Sequence, residues 1–334
     1  MAVPATADKR MRAIIQTEYG TADVLRVAEI ERPAIAAGEV LVKVRAAGLD
    51  RGTWHLMAGM PYAARLAVGL RAPKNPVPGL DVAGVVVAAG SGVTRFQPGD
   101  EVFGVSKGSF AEFAAARESK LAPKPSNLTF EQAAAVPVSG MTALRGLTDV
   151  GCLQAGQKVL IIGASGGVGS YAVQIAKALG TEVTGVCSTS KLDLVRSIGA
   201  DHVIDYSRDD FANGEKRYDL ILDTGGNWTL SRLRRALSPR GTLVIVGGEG
   251  GGRLTGMGRQ VRALALSPLV GQRLTTLGPK EHYTLLERLT ELIEGGQLVP
   301  AIEQTYPLNE MPDAMRHLVA GRARGKLVIA VSST

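Results

Sequence analysis

A short glycine-rich stretch carries the strongest chemical signal in this sequence. It reads Ala164-Ser165-Gly166-Gly167-Val168-Gly169, follows an apolar run at 159–162 and precedes an amphipathic stretch at 171–179. A strand that enters a helix through glycines can bind a dinucleotide pyrophosphate, because the backbone approaches the phosphates at Gly166 and the helix N-terminus presents free N–H groups. Gly169 would let helix and strand pack closely.

The usual pattern of such a loop has a glycine where Ala164 stands, and here Gly163 comes just before it. A glycine turn without a ligand is the alternative interpretation. The order of strand, turn and helix favours a nicotinamide-nucleotide site over 163–169.

The end of the next strand indicates which nucleotide binds. Cys187, Ser188, Thr189 and Lys191 stand there without a carboxylate, and Asp193 lies further on. An NAD site places an acidic residue at this point to accept hydrogen bonds from the ribose 2′-hydroxyl. Hydroxyls and an ammonium suit a 2′-phosphate, which a carboxylate would repel. We therefore expect NADPH, the alternative being a helix cap beside a solvated lysine.

Length and composition are those of a soluble globular protein of two domains. The chain has 334 residues, of which 45% are hydrophobic and 21% charged. No apolar run reaches the ~18 residues of a membrane span, and the first residues lack the apolar core of a signal peptide. Two cysteines, Cys152 and Cys187, are too few for a disulfide framework. These features predict a cytoplasmic protein with no membrane partner.

The excess of basic residues raises the question of a nucleic-acid partner. The net charge is +7, and the stretches 224–248 and 250–280 contain arginines but no acidic residue. Trp228 is the only aromatic residue in these stretches, so a base-stacking platform is not indicated. A solvated face, or attraction for a polyanionic cofactor, explains the charge better. We expect no nucleic-acid partner.

The pattern of apolar runs changes near residue 130. Before it, Val- and Ala-rich runs at 11–17, 39–47 and 81–89 are separated by Pro and Gly, which is typical of a β-rich domain. After it, strand-like runs alternate with helix-like segments at intervals of roughly 20 residues, which predicts a doubly wound parallel sheet. The predicted strands of that sheet are 158–162, 182–186, 202–205, 218–223 and 241–246.

The last part of the chain predicts a return to the first domain. It contains a helix at 283–294, an extended piece at 300–306, a helix near 309–320 and a strand at 326–331. The expected organisation is therefore a first domain over 1–130, a nucleotide-binding domain over 131–280 and a returning segment over 281–334.

Taken in order, several motifs resemble the medium-chain dehydrogenase/reductase superfamily, in its zinc-independent, quinone-oxidoreductase-like (zeta-crystallin-like) branch. The resemblance runs from about Met11 to the C-terminus. It implies an α/β protein with a GroES-like β-rich catalytic domain, a Rossmann domain, a cleft between them, and a homodimer whose Rossmann sheets join edge to edge. The motifs are Pro78–Gly84, Gln97–Gly104, Ala133–Pro137 with Thr142 and Ala143, the glycine loop, and Gly199–Tyr206.

Zinc-dependent members of the superfamily carry a catalytic cysteine, a Gly-His-Glu motif and a four-cysteine lobe. Here the first region reads Gly48-Leu49-Asp50, Leu80 stands in place of the histidine, and 136–142 contains no thiol. Two cysteines cannot form a four-cysteine site. The four histidines also lack ligand spacing, so the sequence predicts no metal.

The absence of a Lewis acid bears on the chemistry. Hydride transfer to an isolated ketone builds alkoxide charge that a metal would normally stabilise. Hydride addition to a quinone or a conjugated C=C spreads the charge, which hydrogen bonds can stabilise. A small electrophilic substrate of the quinone or enone type is therefore favoured.

The resemblance implies three catalytic candidates in the first domain. The branch commonly has Asn at the position of Asp50 and Asp at the position of Thr53, and this sequence departs at both. Asp50 could hold the nicotinamide ribose, act as a base or simply form a turn. Tyr62 falls where related reductases have a cleft tyrosine, the alternative being a loop aromatic that covers the core.

The resemblance also implies further cofactor contacts. Thr142 would approach the nicotinamide, unless it is a plain helix residue, and Gly247 and Gly248 would let the nicotinamide lie close to the backbone, unless they form a plain turn. Tyr206 and Lys326 are expected on the phosphate side, a solvated lysine being the alternative for Lys326.

The sequence thus predicts an NADPH-dependent, metal-free reductase of a quinone or activated C=C. Two alternatives remain. One is a zinc-free alcohol or carbonyl dehydrogenase. The other is an NADPH-binding sensor or structural protein without turnover, which the departures at Asp50 and Thr53 keep open.

Overall fold

The computed structural model describes residues 9–214, 216–247, 255–278 and 280–331. Gly248, one of the predicted nicotinamide contacts, lies outside these described residues.

The first part of the chain is rich in strands and holds two short helices. Its elements are β1 (Arg10–Ile15), β2 (Arg26–Glu31), β3 (Glu39–Leu49), α1 (Arg51–Ala58), α2 (Arg65–Val68), β4 (Asp81–Ala89), β5 (Glu101–Val105), β6 (Phe113–Arg117) and β7 (Leu121–Pro123).

Helices and strands alternate in the middle of the chain. The elements are α3 (Phe130–Ala134), α4 (Pro137–Arg145), β8 (Lys158–Ile162), α5 (Gly167–Ala178), β9 (Glu182–Cys187), α6 (Leu192–Ser197), β10 (His202–Asp205), β11 (Tyr218–Asp223), α7 (Leu230–Ala236), β12 (Leu237–Ile245), α8 (Gly258–Leu266) and β13 (Arg273–Thr276). The last elements are α9 (Tyr283–Glu294), β14 (Ile302–Pro307), α10 (Met311–Val319) and β15 (Lys326–Ala330).

The middle strands form one parallel sheet in the order β10-β9-β8-β11-β12-β13. This is the doubly wound order of a dinucleotide-binding fold, in which the chain reverses direction across the sheet between β8 and β11. Strands buried on both faces read as continuous apolar runs. Accordingly, Val159 and Ile161 of β8 belong to the hydrophobic cluster on one side of the sheet, and Leu160 and Ile162 to the cluster on the other.

The β-rich sheet has seven strands, in the order β14-β15-β3-β4-β5-β7, with β6 also paired to β3. The two C-terminal strands thus join the sheet of the first domain, and β15 runs antiparallel to β3 with Leu327 opposite Leu49. The predicted fold class, a Rossmann sheet with a β-rich GroES-like domain, is confirmed. None of the helices in the described part of the chain has the length and apolar character that a bilayer crossing requires.

Candidate active site

A cavity of about 810 Å³ lies between the two domains, at the carboxyl ends of the parallel strands. Open α/β sheets bind their ligands at this edge, beside the point where the strand order reverses. The second domain contributes the glycine loop, the strand ends and α4 to the wall. The first domain contributes 49–52, His55 and the segment before β15.

The glycine loop has the shape that a pyrophosphate needs. The φ of Gly163 is +79°, and the N–H groups of Gly163 and Ala164 both donate to the Val186 carbonyl, which holds the loop between β8 and β9. A Cβ on Gly169 would overlap the Gly163 carbonyl oxygen, whereas the nearest atom to a Cβ on Gly166 would be 3.4 Å away. Gly169 therefore allows close packing of helix and strand, and Gly166 leaves room for a ligand.

The helix that follows the loop has an uncapped N-terminus. Gly166 is the cap residue of α5, and no side chain caps the first turn. The first N–H groups of a helix have no partner within the helix and carry its partial positive charge, so they suit an anion. The residues present therefore fit the pyrophosphate of a dinucleotide.

The hydroxyl of Thr189 and the ammonium of Lys191, predicted to bind a 2′-phosphate, already form hydrogen bonds within the protein. Thr189 Oγ1 donates to Asp205 Oδ2 at 2.5 Å, and Ser207 Oγ donates to Asp205 Oδ1 at 2.7 Å. Thr189 therefore has no hydrogen left for a phosphate oxygen in this arrangement. Asp205 belongs to the Gly199–Tyr206 motif, which was the available signal for this carboxylate.

Lys191 is tied to the other domain. Its ammonium donates to the carbonyls of Gly321 at 3.0 Å and Ala323 at 2.7 Å, and burial lowers the pKa of Lys191. These two carbonyls use two of the three N–H donors of the ammonium. Because the lysine lines the cavity, the third donor is available to a ligand.

The other residues predicted to contact the cofactor near Lys191 differ in exposure. Tyr206 lines the cavity and is half exposed. Cys187 is buried, and burial raises the pKa of its thiol to about 11, so it stays a neutral thiol. Ser188 begins the short turn that contains Thr189 and Lys191.

Thr142 and Gly247, which were predicted to contact the nicotinamide, both line the cavity. Thr142 donates its hydroxyl hydrogen to the Val138 carbonyl one turn earlier, at 2.6 Å, so it can offer a ligand only an acceptor. Sequence analysis missed Arg145, which lies one turn further along α4 and donates to the Gly278 carbonyl at 2.7 Å. Its spacing of three residues from Thr142 was the signal that could have found it.

Asp50 is the cap of α1 and also a cavity residue. One carboxylate oxygen, Oδ1, accepts from the Thr53 N–H at 2.9 Å, while Oδ2 is enclosed and has no hydrogen-bond partner in the described structure. The cap role and the cleft role thus occur together.

Two predicted catalytic residues are not on the cavity wall formed by the described residues. Thr53 is fully buried beneath Asp50, to which its N–H and hydroxyl are directed. Tyr62 is 45% exposed and lies on a short turn with the Arg65 guanidinium 4.8 Å from its ring centre. The hydrogen bonds of Thr53 hold the Asp50 carboxylate in place, whereas the contact between Tyr62 and Arg65 lies on the surface.

The alternative interpretation of Lys326 as a solvated side chain is wrong. It is 1% exposed, and its ammonium donates to Asp81 Oδ2 at 3.2 Å and to Ser139 Oγ at 3.3 Å. Asp81 is fully buried, and this burial raises its pKa to about 7. Sequence analysis missed the partnership because the two residues are 245 positions apart.

Comparison with known proteins places these features in a family. Residues 36–126 match the family model "Alcohol dehydrogenase GroES-like domain", and 198–329 match "Zinc-binding dehydrogenase". In the described part of the chain, no three His, Cys, Asp or Glu side chains cluster as metal ligands would.

Full-length relatives are similar along nearly the whole chain. The 2-methylene-furan-3-one reductase of Solanum lycopersicum is 34% identical over 96% of this chain and 79% of its own length. The NADPH-dependent alkenal/one oxidoreductase of Arabidopsis thaliana is 34% identical over 98% of this chain and 82% of its own length. The solved structure of the quinone oxidoreductase from Coxiella burnetii superposes with a TM-score of 0.86 at 27% identity, covering 97% of this chain and all of that one.

The chain belongs to the medium-chain dehydrogenase/reductase superfamily. Within it, the relatives place the chain in the quinone-oxidoreductase-like, zeta-crystallin-like branch.

Proposed function

We propose that this protein uses NADPH to reduce a quinone or a conjugated C=C bond of an enone-type substrate, without a metal ion. The observation that carries the proposal is the cavity that the uncapped glycine-loop helix and α4 of the second domain share with Asp50 of the first domain. Relatives whose names specify alkenal/one, furanone and quinone reduction support the substrate class.

Different residues of the cavity wall would bind different parts of the dinucleotide. The loop at 163–169 and Lys191 would hold the phosphates of the dinucleotide, with Tyr206 beside the adenine half. Thr142, Gly247 and Asp50 would surround the nicotinamide ribose and ring. When bound, NADPH supplies the hydride for the reduction.

Addition of a hydride to a conjugated substrate places negative charge on the substrate oxygen, which needs hydrogen-bond donors. Two side chains of the wall are suited to this task. Arg145 carries a guanidinium beside the Gly278 carbonyl, and His55 has Nδ1 3.0 Å from the Met60 carbonyl. Because a carbonyl only accepts, Nδ1 carries the hydrogen of this hydrogen bond. Tyr62 remains a predicted proton donor only if its loop moves toward the cavity.

We infer independence of zinc from the residue types at the positions of the zinc ligands. Catalytic zinc sites use three protein ligands of the Cys, His or acidic type. The positions that hold them in zinc-dependent members are Leu80, the 48–50 stretch and the 136–142 stretch, which offer one carboxylate and no thiol or imidazole. We expect elemental analysis of the purified protein to find no stoichiometric zinc, and activity to persist in chelator.

A substrate panel tests the proposal. The oxidation of NADPH is followed by absorbance with quinones, enones, isolated ketones and, in reverse with NADP⁺, saturated alcohols. Turnover of quinones or enones alone is the expected result. Activity confined to alcohols and isolated ketones would favour the dehydrogenase alternative, and tight NADPH binding without any turnover would favour the sensor or structural alternative.

We further propose a homodimer formed at the edge of the Rossmann sheet. β13 is an edge strand, and an unpaired strand edge tends to pair with another chain. The neighbouring α8 region leaves large apolar side chains exposed, which a two-fold interface would cover. These side chains are Met257, Val261, Leu264 and Leu269.

A further inference from the structure

A buried ion pair lies beneath the glycine loop. Asp81 of β4 and Lys326 of β15 both come from the first domain, and their side chains are at most 1% exposed. Both charges lose their hydration on burial, so such a pair adds little net stability compared with apolar residues of similar size. Its contacts in the second domain point to a role in the site.

The pair is joined to the start of α4. Asp81 Oδ1 accepts from the Val138 N–H at 2.9 Å, and Lys326 Nζ donates to Ser139 Oγ at 3.3 Å. Both Val138 and Ser139 line the cavity, three or four residues before Thr142. The pair therefore fixes the helix that carries the predicted nicotinamide contact.

The segment that carries Lys326 is also joined to the glycine loop. The N–H of Gly325 donates to the Ser165 carbonyl at 2.8 Å. A Cβ on Gly167, the first residue of α5, would be 3.2 Å from Lys326 Cδ and 3.1 Å from Ser139 Oγ. An anion at this helix N-terminus would thus lie close to the Lys326 side chain, which also lines the cavity.

Three elements besides β15 bring a polar or titratable group toward Asp81. The carboxylate of Asp50 comes from the start of α1, the N–H of Val138 from α4, and the phenol of Tyr171 from α5, where it donates to the Ala135 carbonyl at 3.0 Å. Burial is the main cause of the raised pKa of Asp81, about 7; Asp50 raises it further, and Lys326 and the Val138 N–H lower it. The pKa of Tyr171 is raised well above its usual value by burial and by Asp81, so the phenol stays neutral.

We propose that the Asp81–Lys326 pair positions the glycine loop and α4 and that Asp81 takes up a proton when the anionic pyrophosphate of the dinucleotide binds. This inference rests on the proposed function, since it needs a dinucleotide at the loop. One proton from solvent adds to the Asp81 carboxylate, and the positive charge of Lys326 is then no longer neutralised by it. The anion is stabilised by that charge, and by linkage it stabilises the protonated carboxyl.

The sign of the pH effect follows from this linkage. Binding of the anion raises the pKa of Asp81, so the complex holds the proton at a pH where the free protein has lost it. Affinity for NADPH is therefore highest below the pKa of about 7 in the free protein and falls as pH rises through it. If binding raises the pKa of Asp81 by about one unit, the NADPH affinity falls roughly tenfold as the pH rises through this range.

The experiment measures NADPH affinity at pH 6, 7 and 8, and proton uptake by calorimetry at pH 7 in two buffers of different ionisation enthalpy. The 2′-phosphate of NADPH titrates in the same range, so the wild type is compared with Asp81→Asn using the same cofactor. The amide stands in for the protonated carboxyl. Between pH 6 and pH 8, we expect the NADPH affinity of Asp81→Asn to change only as far as titration of the 2′-phosphate requires. We also expect this variant to take up fewer protons on binding than the wild type. Glu182→Gln, at the opposite end of the parallel sheet, is the matched control and should behave as the wild type.

Circular dichroism checks that each variant folds. If Asp81→Asn does not fold, Asp81→Asn combined with Lys326→Met removes both charges and should likewise lose the extra pH dependence. A purely structural pair predicts weaker binding at every pH with an unchanged pH profile and proton count, and that result would overturn the proposal. Failure of the wild type to bind NADPH at any pH would instead overturn the proposed function.

Discussion

Two glycines of the same loop are expected to fail in different ways when a methyl group is added. In Gly169→Ala the Cβ meets the Gly163 carbonyl and lies 2.7 Å from Ala164 Cα, so α5 must move away from β8. Overpacking of this kind costs about 1–3 kcal/mol. We expect a lower melting temperature together with a loss of NADPH binding.

Gly166→Ala has room for its methyl group within the protein, so we expect it to fold as the wild type and to bind NADPH more than tenfold more weakly, since the methyl group enters the space left for the phosphates. Thermal unfolding and fluorescence titration separate the two effects. Gly38→Ala, whose Cβ would meet nothing within 4 Å, is the control for both. Unchanged NADPH binding in Gly166→Ala would place the pyrophosphate elsewhere.

Lys191 is expected to have a double role. Loss of a charged hydrogen bond to the 2′-phosphate costs ~1.5–3 kcal/mol, which is roughly tenfold or more in affinity. Lys191→Met should therefore weaken NADPH binding at least tenfold more than NADH binding. It should also lower the melting temperature, because the carbonyls of Gly321 and Ala323 lose their donor.

Titration of both cofactors against wild type and variant measures this selectivity. Lys158→Met, at the amino end of the same sheet, provides the matched control. An equal loss for the two cofactors would mark Lys191 as a structural residue and remove the main support for NADPH preference.

At the scale of elements, one partly buried arginine attaches α8 to the end of β11. Arg259 forms an ion pair with the fully buried Asp223 and also donates to the carbonyls of Gly247 and Trp228, at 2.9 and 3.2 Å. Gly247 and Trp228 both line the cavity, so this side chain is bonded to two segments of the cavity wall. Arg259 belongs to the arginine-rich stretch that was interpreted from the sequence as a solvated face or as an attraction for a polyanionic cofactor, so this contact was not predicted.

Removal of this arginine leaves a buried carboxylate without its partner. Such a loss costs about 3–5 kcal/mol. We expect Arg259→Met to lower the free energy of unfolding in urea by an amount in this range and to raise the KM for the substrate. Arg262→Met, on the exposed side of α8, should change neither quantity. Similar stabilities for the two variants would show that the Asp223–Arg259 pair is open in solution.

At the scale of the whole molecule, the proposed dimer depends on apolar side chains around β13. Light scattering coupled to size exclusion should give twice the 35.0 kDa mass of one chain. Leu264→Glu combined with Val261→Glu should shift the protein toward monomer, because both side chains are exposed in the single chain and would be buried in the dimer. Val299→Glu, exposed outside this surface, should not. A monomeric wild type would reject the dimer, and an unaffected double variant would place its interface elsewhere.

The sequence by itself determined what depends on neighbours along the chain. The bounds of β8, β10, β11 and α9 agree with the predicted 158–162, 202–205, 218–223 and 283–294, because apolar periodicity and glycine punctuation are local signals. The glycine loop was found in the same way. β12 was predicted to begin at 241 but begins at Leu237, since Pro239 and Gly241 look like a turn, whereas Tyr218 pairs with Leu237 across an irregular register.

Only the tertiary structure decided which distant side chains meet. Asp81 and Lys326, Lys191 and Ala323, and Asp223 and Arg259 are brought together by strand order and by the docking of two domains, neither of which leaves a spacing signal in the sequence. The same holds for the burial of Thr53 and for the position of Tyr62 on the surface. A residue's type indicates the chemistry that it can do, but its charge state and its partners depend on burial and on neighbours that folding alone supplies.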